Sequence, residues 1–227
     1  MIALGDMNVH VDASPKLLKA LAVIASNLHQ TMERDLTPGI THESCILCSL
    51  VMRDFLFRIG FRDAEVRPAL VIVTAHDATT GAEIHTLGIG RDKPGMVTRD
   101  GAKRWEGHLV TVVPSAGTLI DATLYSARRP AWPTLPGMVA LPTMPGEAGD
   151  EIWGMKPIAG MEAVSPTSAG NSARVAIVYL DQPSNKIWKK APDAGRSRRE
   201  TYVRSLVETF GVWHDTAGEA VKRGEHA

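Results

Sequence analysis

Thr41-His42-Glu43-Ser44-Cys45-Ile46-Leu47-Cys48-Ser49-Leu50-Val51-Met52-Arg53-Asp54-Phe55-Leu56-Phe57-Arg58-Ile59-Gly60 is the stretch whose reading decides the fold, and it holds both cysteines of the chain. After the turn-forming Thr37-Pro38-Gly39, either Thr41 or Ser44 can accept the free amide hydrogens of a helix start, and Gly60 supplies a left-handed stop. Leu47, Val51, Phe55 and Ile59 recur about one turn apart. Ile46, Leu50 and Phe57 add apolar surface on another side, so the spacing predicts a buried central helix. Cys45 falls in its first turn, where unpaired amide hydrogens and the helix dipole favour negative charge. Thiolate is the reactive form of cysteine, so the helix presents a candidate nucleophile.

Outward from this helix, the 227 residues with 44% hydrophobic and 22% charged content describe an ordinary globular chain, read as one domain over 1–227. Lys plus Arg and Asp plus Glu are both 25, so neither nucleic acid nor an anionic membrane is expected as a partner. No apolar run has the length of a membrane span, and the first residues lack the pattern of a signal peptide, so a cytoplasmic protein is expected. Two cysteines three apart make no disulfide framework and read as thiols.

Ser14-Pro15 opens a helix whose apolar face is Leu17, Leu18, Leu21, Ile24 and Leu28. Past Gly60 the period changes: Ala64 to Thr74 and Glu83 to Ile89 read as strands of a hairpin, and Gly88 to Gly107 as a long loop bordering a site. The glycines of that loop miss dinucleotide and phosphate-loop spacing. Two short strands follow, His108 to Val113 and Thr118 to Leu124. Prolines punctuate Arg128 to Ser168, which predicts an irregular wrapping segment with at most a short strand near Ile152-Trp153. Ala173 to Leu180 is a strand, and Tyr202, Val203, Leu206, Val207 and Phe210 mark a C-terminal helix stopped by Gly211, with a frayed tail beyond Asp215. The fold class is α+β, with N-terminal helices packed on an antiparallel β-sheet.

If the strands at His108 and Thr118 pair around Pro114-Ser115-Ala116-Gly117, Val113 faces Thr118 and Val110 faces Asp121. His108 and Asp121 then share a face as diagonal neighbours. A carboxylate inside Leu119-Ile120-Asp121-Ala122-Thr123-Leu124 needs a partner, because burying it unpaired costs several kcal/mol. With Cys45 this gives nucleophile, base and orienting acid.

These residues resemble the transglutaminase-like family of the papain-like cysteine enzyme superfamily, related to the arylamine N-acetyltransferases. The helix from Cys45 to Gly60-Phe61 resembles its nucleophile helix, Gly107-His108-Leu109-Val110-Thr111-Val112 the strand bearing the base, and Leu119-Ile120-Asp121-Ala122-Thr123 the strand bearing the acid. Alignment of Gly60 with the helix-ending glycine selects Cys45 over Cys48. The resemblance covers about residues 40–125, the catalytic unit, with 126–227 as an extension of the same domain. It departs at Leu109-Val110, where relatives often carry an aromatic, and at Ala122, where they often carry proline. It implies a papain-like fold and an acyl-enzyme formed on Cys45 from a peptide, protein or small amide or thioester substrate. Water or an amine releases the acyl group, no cofactor is required, and the Cys45 amide is one oxyanion donor, with Asn27, Gln30 and His42 as candidates for a second.

Other readings stay open. Cys48 shares a stripe with Met52, Phe55 and Ile59 and reads as core. Cys45-x-x-Cys48, with His42, also fits a redox pair or half a zinc site. A triad scaffold that binds a peptide or protein without turnover is the alternative function. Lys186, Lys189, Lys190, Arg196, Arg198 and Arg199 read as a solvated face or a binding patch, and Trp105, Trp132, Trp153 and Trp188 as edge packing or the lining of a cleft.

Overall fold

A computed structural model describes residues 2–4, 7–34, 36, 44–99, 101–127, 135–144, 151–166, 172–191 and 195–222. Thr41, His42 and Trp132 lie outside them. The described elements run β1 (Ile2–Leu4), β2 (Met7–Val9), α1 (Pro15–Met32), α2 (Cys45–Arg58), β3 (Glu65–Asp77), β4 (Glu83–Ile89), β5 (Met96–Arg99), β6 (Ala102–Trp105), β7 (His108–Val113), β8 (Thr118–Asp121), β9 (Met138–Pro142), β10 (Pro157–Pro166), β11 (Ser172–Asp181) and α3 (Arg196–Lys222). The chain is α+β.

Among the described residues the main sheet has nine strands in the order β1-β2-β9-β8-β7-β3-β11-β10, with β4 paired to β3. It is mixed rather than purely antiparallel, because β2 runs parallel to β9, Met7 opposite Met138. The 13-residue β3 is the backbone of the sheet. Its first half pairs with β7, Ala69 opposite His108, its second half with β4, and β11 covers its other edge from Ala69 to Asp77. The sheet curls until its strands meet again: Thr143, just past β9, bridges Ala159 in β10, and the Met144 amide donates to the Ile158 carbonyl at 2.8 Å.

The curl gives the sheet two environments. Val71, Val73, Val110, Leu119, Val139, Leu141, Ile177 and Tyr179 fill its inside as one apolar cluster. The outside carries Ile120, Met138 and Ala140 against Leu21, Ile24 and Leu28 of α1, Val51 and Phe55 of α2, and Leu206 of α3. Period-two alternation in β8 and β9 feeds both cores at once, which is why their residues are buried on both faces.

Local chemistry sets the start of α1 and the end of α2 as the sequence predicts. The Ser14 side chain accepts from the Leu17 amide at 3.3 Å, with Pro15 at the first position of α1. Ser44 is the N-cap of α2, but its side chain does not accept from the first amides of the helix as the sequence suggests. At its other end Gly60 has φ of +107°, its amide donates to Phe57 O, and the Phe61 amide reaches back to Leu56 O at 2.9 Å, the paired closure that a left-handed glycine permits.

Four further expectations are corrected. The 88–107 loop contains the β5/β6 hairpin, Met96 opposite Trp105. The strand from Thr118 ends at Asp121 rather than Leu124. The proline-rich 128–168 segment holds β9, between β8 and β2, and the ten-residue β10; Pro142, Pro157 and Pro166 stand at strand ends, where a missing amide hydrogen costs little. α3 passes through Gly211 to Lys222, since a glycine in an exposed helix interior costs only about 1 kcal/mol. Among the described residues no helix is long and apolar enough to cross a membrane.

Candidate active site

The β7/β8 register is the one the sequence predicts: Val113 opposite Thr118, Val112 opposite Leu119, Thr111 opposite Ile120, with Gly117 left-handed at φ +53° to turn the corner. Continued one pair further, Val110 meets Asp121, and His108 stands diagonally from it. The diagonal closes: His108 Nε2 lies 2.8 Å from Asp121 Oδ2, with the two side chains 2% and 1% exposed.

Asp121 has further donors. Tyr179, from β11, donates its hydroxyl to the same Oδ2 at 3.0 Å, and the Thr123 amide and hydroxyl donate to Oδ1 at 2.8 and 3.0 Å. Burial alone would raise the Asp121 pKa, but the charge and hydrogen bond of His108, with the Thr123 and Tyr179 bonds, hold it below the ordinary carboxylate value. Burial pulls His108 down, and the Asp121 charge and hydrogen bond outweigh this, with smaller contributions from a hydrogen bond and charge of Cys45, raising the imidazole to about 10. Burial and the adjacent carboxylate push the Tyr179 phenol well above its ordinary range, so it remains a donor. The site therefore holds an imidazolium–carboxylate pair at neutral pH.

Cys45 reaches this pair from α2. Its thiol donates to the carbonyl oxygen of Gly107, the residue before His108, at 3.8 Å, and Cys45 is near enough to add to the raised His108 pKa. With Nε2 taken by Asp121, Nδ1 is the ring nitrogen open to exchange a proton. Two bonds fix the helix against the strand: Ser49 Oγ donates to Leu109 O at 2.6 Å, and Thr111 Oγ1 donates to Ser49 O at 3.0 Å. His29 on α1 contacts Ala122 O through Nε2 at 2.8 Å and stacks edge-on against Tyr125, holding the chain where it leaves Asp121.

The partly buried Cys45 packs against an apolar wall of Ile46, Leu50, Trp105, Leu109 and Trp188. Gly107 is required there: a Cβ on it would fall 2.1 Å from the Trp105 ring. The Trp105 indole N–H is buried without an acceptor among the described residues, which leaves a hydrogen-bond donor on this wall. The loop before β5 is tied down beside the site. Gly90 packs on the backbone of His108, and Gln182 Nε2 donates to Arg91 O and Asp92 O at 2.7 and 3.0 Å.

Cys45, His108 and Asp121 are thus brought together, while Cys48 is fully buried in the helix-side core, and neither cysteine is in a disulfide. Among the candidate oxyanion donors, Asn27 spends its amide on Val23 O within α1, and Gln30 is exposed. Trp153 stands 71% exposed at a turn and is not part of the cluster that holds Trp105 and Trp188. Sequence reasoning missed Tyr179, Thr123, Ser49 and Thr111. Thr123 had a signal, since a hydroxyl residue two positions after an aspartate commonly caps it; a tyrosine in an otherwise aliphatic strand had another, because a buried phenol needs a partner. Comparisons with protein-family models, with curated proteins and with solved structures found no match.

Proposed function

We propose that this chain is a cysteine acyl-transfer enzyme of transglutaminase-like, papain-related type, cleaving an amide, peptide or thioester bond through an acyl-enzyme on Cys45. The observation that carries the reading is a helix-start thiol bonded to the carbonyl of Gly107, next in the chain to an imidazole that a saturated, buried carboxylate holds at 2.8 Å. A partly exposed thiol beside a buried imidazole–carboxylate pair is what an activated nucleophile requires.

Chemistry follows from the placement. The Cys45 thiolate, opposite the His108 imidazolium, attacks the carbonyl carbon, and the C–S bond forms as the carbonyl electrons move to oxygen. The Cys45 amide, one of the unpaired amides at the start of α2, is the donor nearest that oxygen along the chain. Collapse breaks the bond to the leaving nitrogen or sulfur, which takes its proton from His108. Water or an amine then gives its proton to His108 and attacks the thioester, releasing the acyl group and the Cys45 thiolate. Asp121 orients the imidazole throughout and stays ionised.

Iodoacetamide labelling followed by peptide mass mapping tests the assignment. Cys45 is expected to react faster than Cys48 at neutral pH, and His108→Ala to slow it by about tenfold or more. Equal or reversed reactivity of the two cysteines overturns the assignment. Rapid labelling of Cys45 together with peptide binding, but no acyl adduct from any of a panel of activated amides and thioesters, would instead favour the non-catalytic binding scaffold.

A further inference from the structure

At the opposite end of α2 from Cys45, about 20 Å along the helix axis, lies a second feature of the charge distribution. Arg53, Asp54, Phe57 and Arg58 of α2, Arg62 and Ala64 just beyond it, and Arg196, Arg199 and Glu200 of α3 surround an open cavity of about 680 Å³. Five guanidinium groups face two carboxylates, in a chain whose overall charge is zero.

The two carboxylates engage three of the arginines. Asp54 pairs with Arg53 and, at 3.2 Å, with Arg199 Nε; Glu200 pairs with Arg58. Among the described residues, Arg62 and Arg196 have no carboxylate within ion-pair distance. Both are exposed, and Arg62 lies over the Phe57 ring at 4.6 Å. The first turn of α3 adds Arg198 and holds no acidic residue, although the free amides and dipole of a helix start favour negative charge. Local folding preference thus runs against this arrangement, and an anion in the cavity would offset it.

We infer that this cavity is a binding site for a multivalent oxyanion, held by the Arg62 and Arg196 guanidinium groups with Arg58 recruited from its exposed pair with Glu200. Arginine suits this ligand because its planar fork donates two parallel hydrogen bonds to phosphate or carboxylate oxygens. A cavity of this size takes a chain of three phosphates or a tricarboxylate rather than one small ion. The Arg58–Glu200 pair, about 40% exposed on both sides, is weak enough for a ligand to displace.

Calorimetric titration of the whole chain with inorganic tripolyphosphate, and separately with citrate, tests the inference. Saturable one-to-one binding is expected, weakening as salt rises. Arg62→Ala and Arg196→Ala should each weaken it about tenfold, whereas Glu200→Gln, which frees Arg58, should tighten it several-fold. Tripolyphosphate binding without citrate binding identifies a phosphate chain as the natural group, and equal binding of citrate identifies a carboxylate ligand. Binding of neither probe at low salt, or affinity unchanged by the arginine variants, overturns the site. These surface substitutions leave the core intact, and thermal unfolding of each variant checks that the fold is kept.

Discussion

Tyr179 and Asp121, 58 residues apart in the chain, meet inside the curled sheet through a 3.0 Å hydrogen bond to the very oxygen that His108 also binds. A carboxylate with every acceptor direction filled neither rotates nor protonates readily, and the imidazole it holds inherits that rigidity.

Tyr179→Phe removes one donor to a buried charge and adds no cavity. It is expected to lower unfolding free energy by about 1–3 kcal/mol, measured by urea titration, with the circular dichroism spectrum unchanged. Cys45 alkylation should slow only a few-fold, since His108 keeps its direct bond to Asp121.

Stability should fall as pH rises above neutral. The folded His108 pKa of about 10 exceeds its ordinary 6.5, so the pair's contribution is fully present below about pH 6.5 and is lost as pH climbs through about 10. On the acid side Asp121 is depressed in the folded state, so its contribution is present above its ordinary value of 3.8 and is lost as pH falls through the folded value. Urea unfolding at a series of pH values from about 5 to 9 should show the first decline, and Asp121→Asn should flatten it. A slope that the variant leaves unchanged would refute this assignment.

Gly107→Ala places a methyl group within 2.1–2.5 Å of three Trp105 ring atoms. The indole must move, at a cost of about 1–3 kcal/mol by the usual penalty for overpacking. Tryptophan emission should shift to longer wavelength, and the alkylation rate of Cys45, whose sulfur faces the Gly107 carbonyl, should change with it.

Gly211→Ala works in the other direction. The residue is exposed within α3 and a Cβ there meets nothing within 4 Å. The substitution should stabilise the chain by about 0.5–1 kcal/mol, read as a shift of the urea midpoint with no change in slope.

Local chemistry made the β7/β8 corner legible in the sequence. Gly117 and Pro114 fix a short turn, alternation fixes the register, and the register puts Asp121 beside His108. The α2 helix was legible from its apolar spacing and from Gly60, which closes its end. What escaped is non-local. Nothing near Tyr179 says that β11 lies beside β3 at a height where a phenol reaches Asp121, and nothing in Pro136-Gly137-Met138 says that a strand slots between β8 and β2. Proline density misled because a proline at a strand end removes no ladder bond, and Gly211 misled because helix interiors tolerate one glycine when packing on the other side holds them.

The meeting of β9 with β10 has a bearing on how the protein comes to exist. Cys45, His108 and Asp121 emerge early during synthesis, but Tyr179 arrives on β11, which follows the whole proline-rich segment in the chain and pairs with β3 across about a hundred residues. Pairings so distant in sequence form late, because the entropy of closing long loops must be met first. Until then Asp121 Oδ2 lacks its second donor and the strand bearing His108 has β3 beside it without β11 behind. Completion of the sheet is therefore the event that fills the last acceptor position of the Asp121 carboxylate.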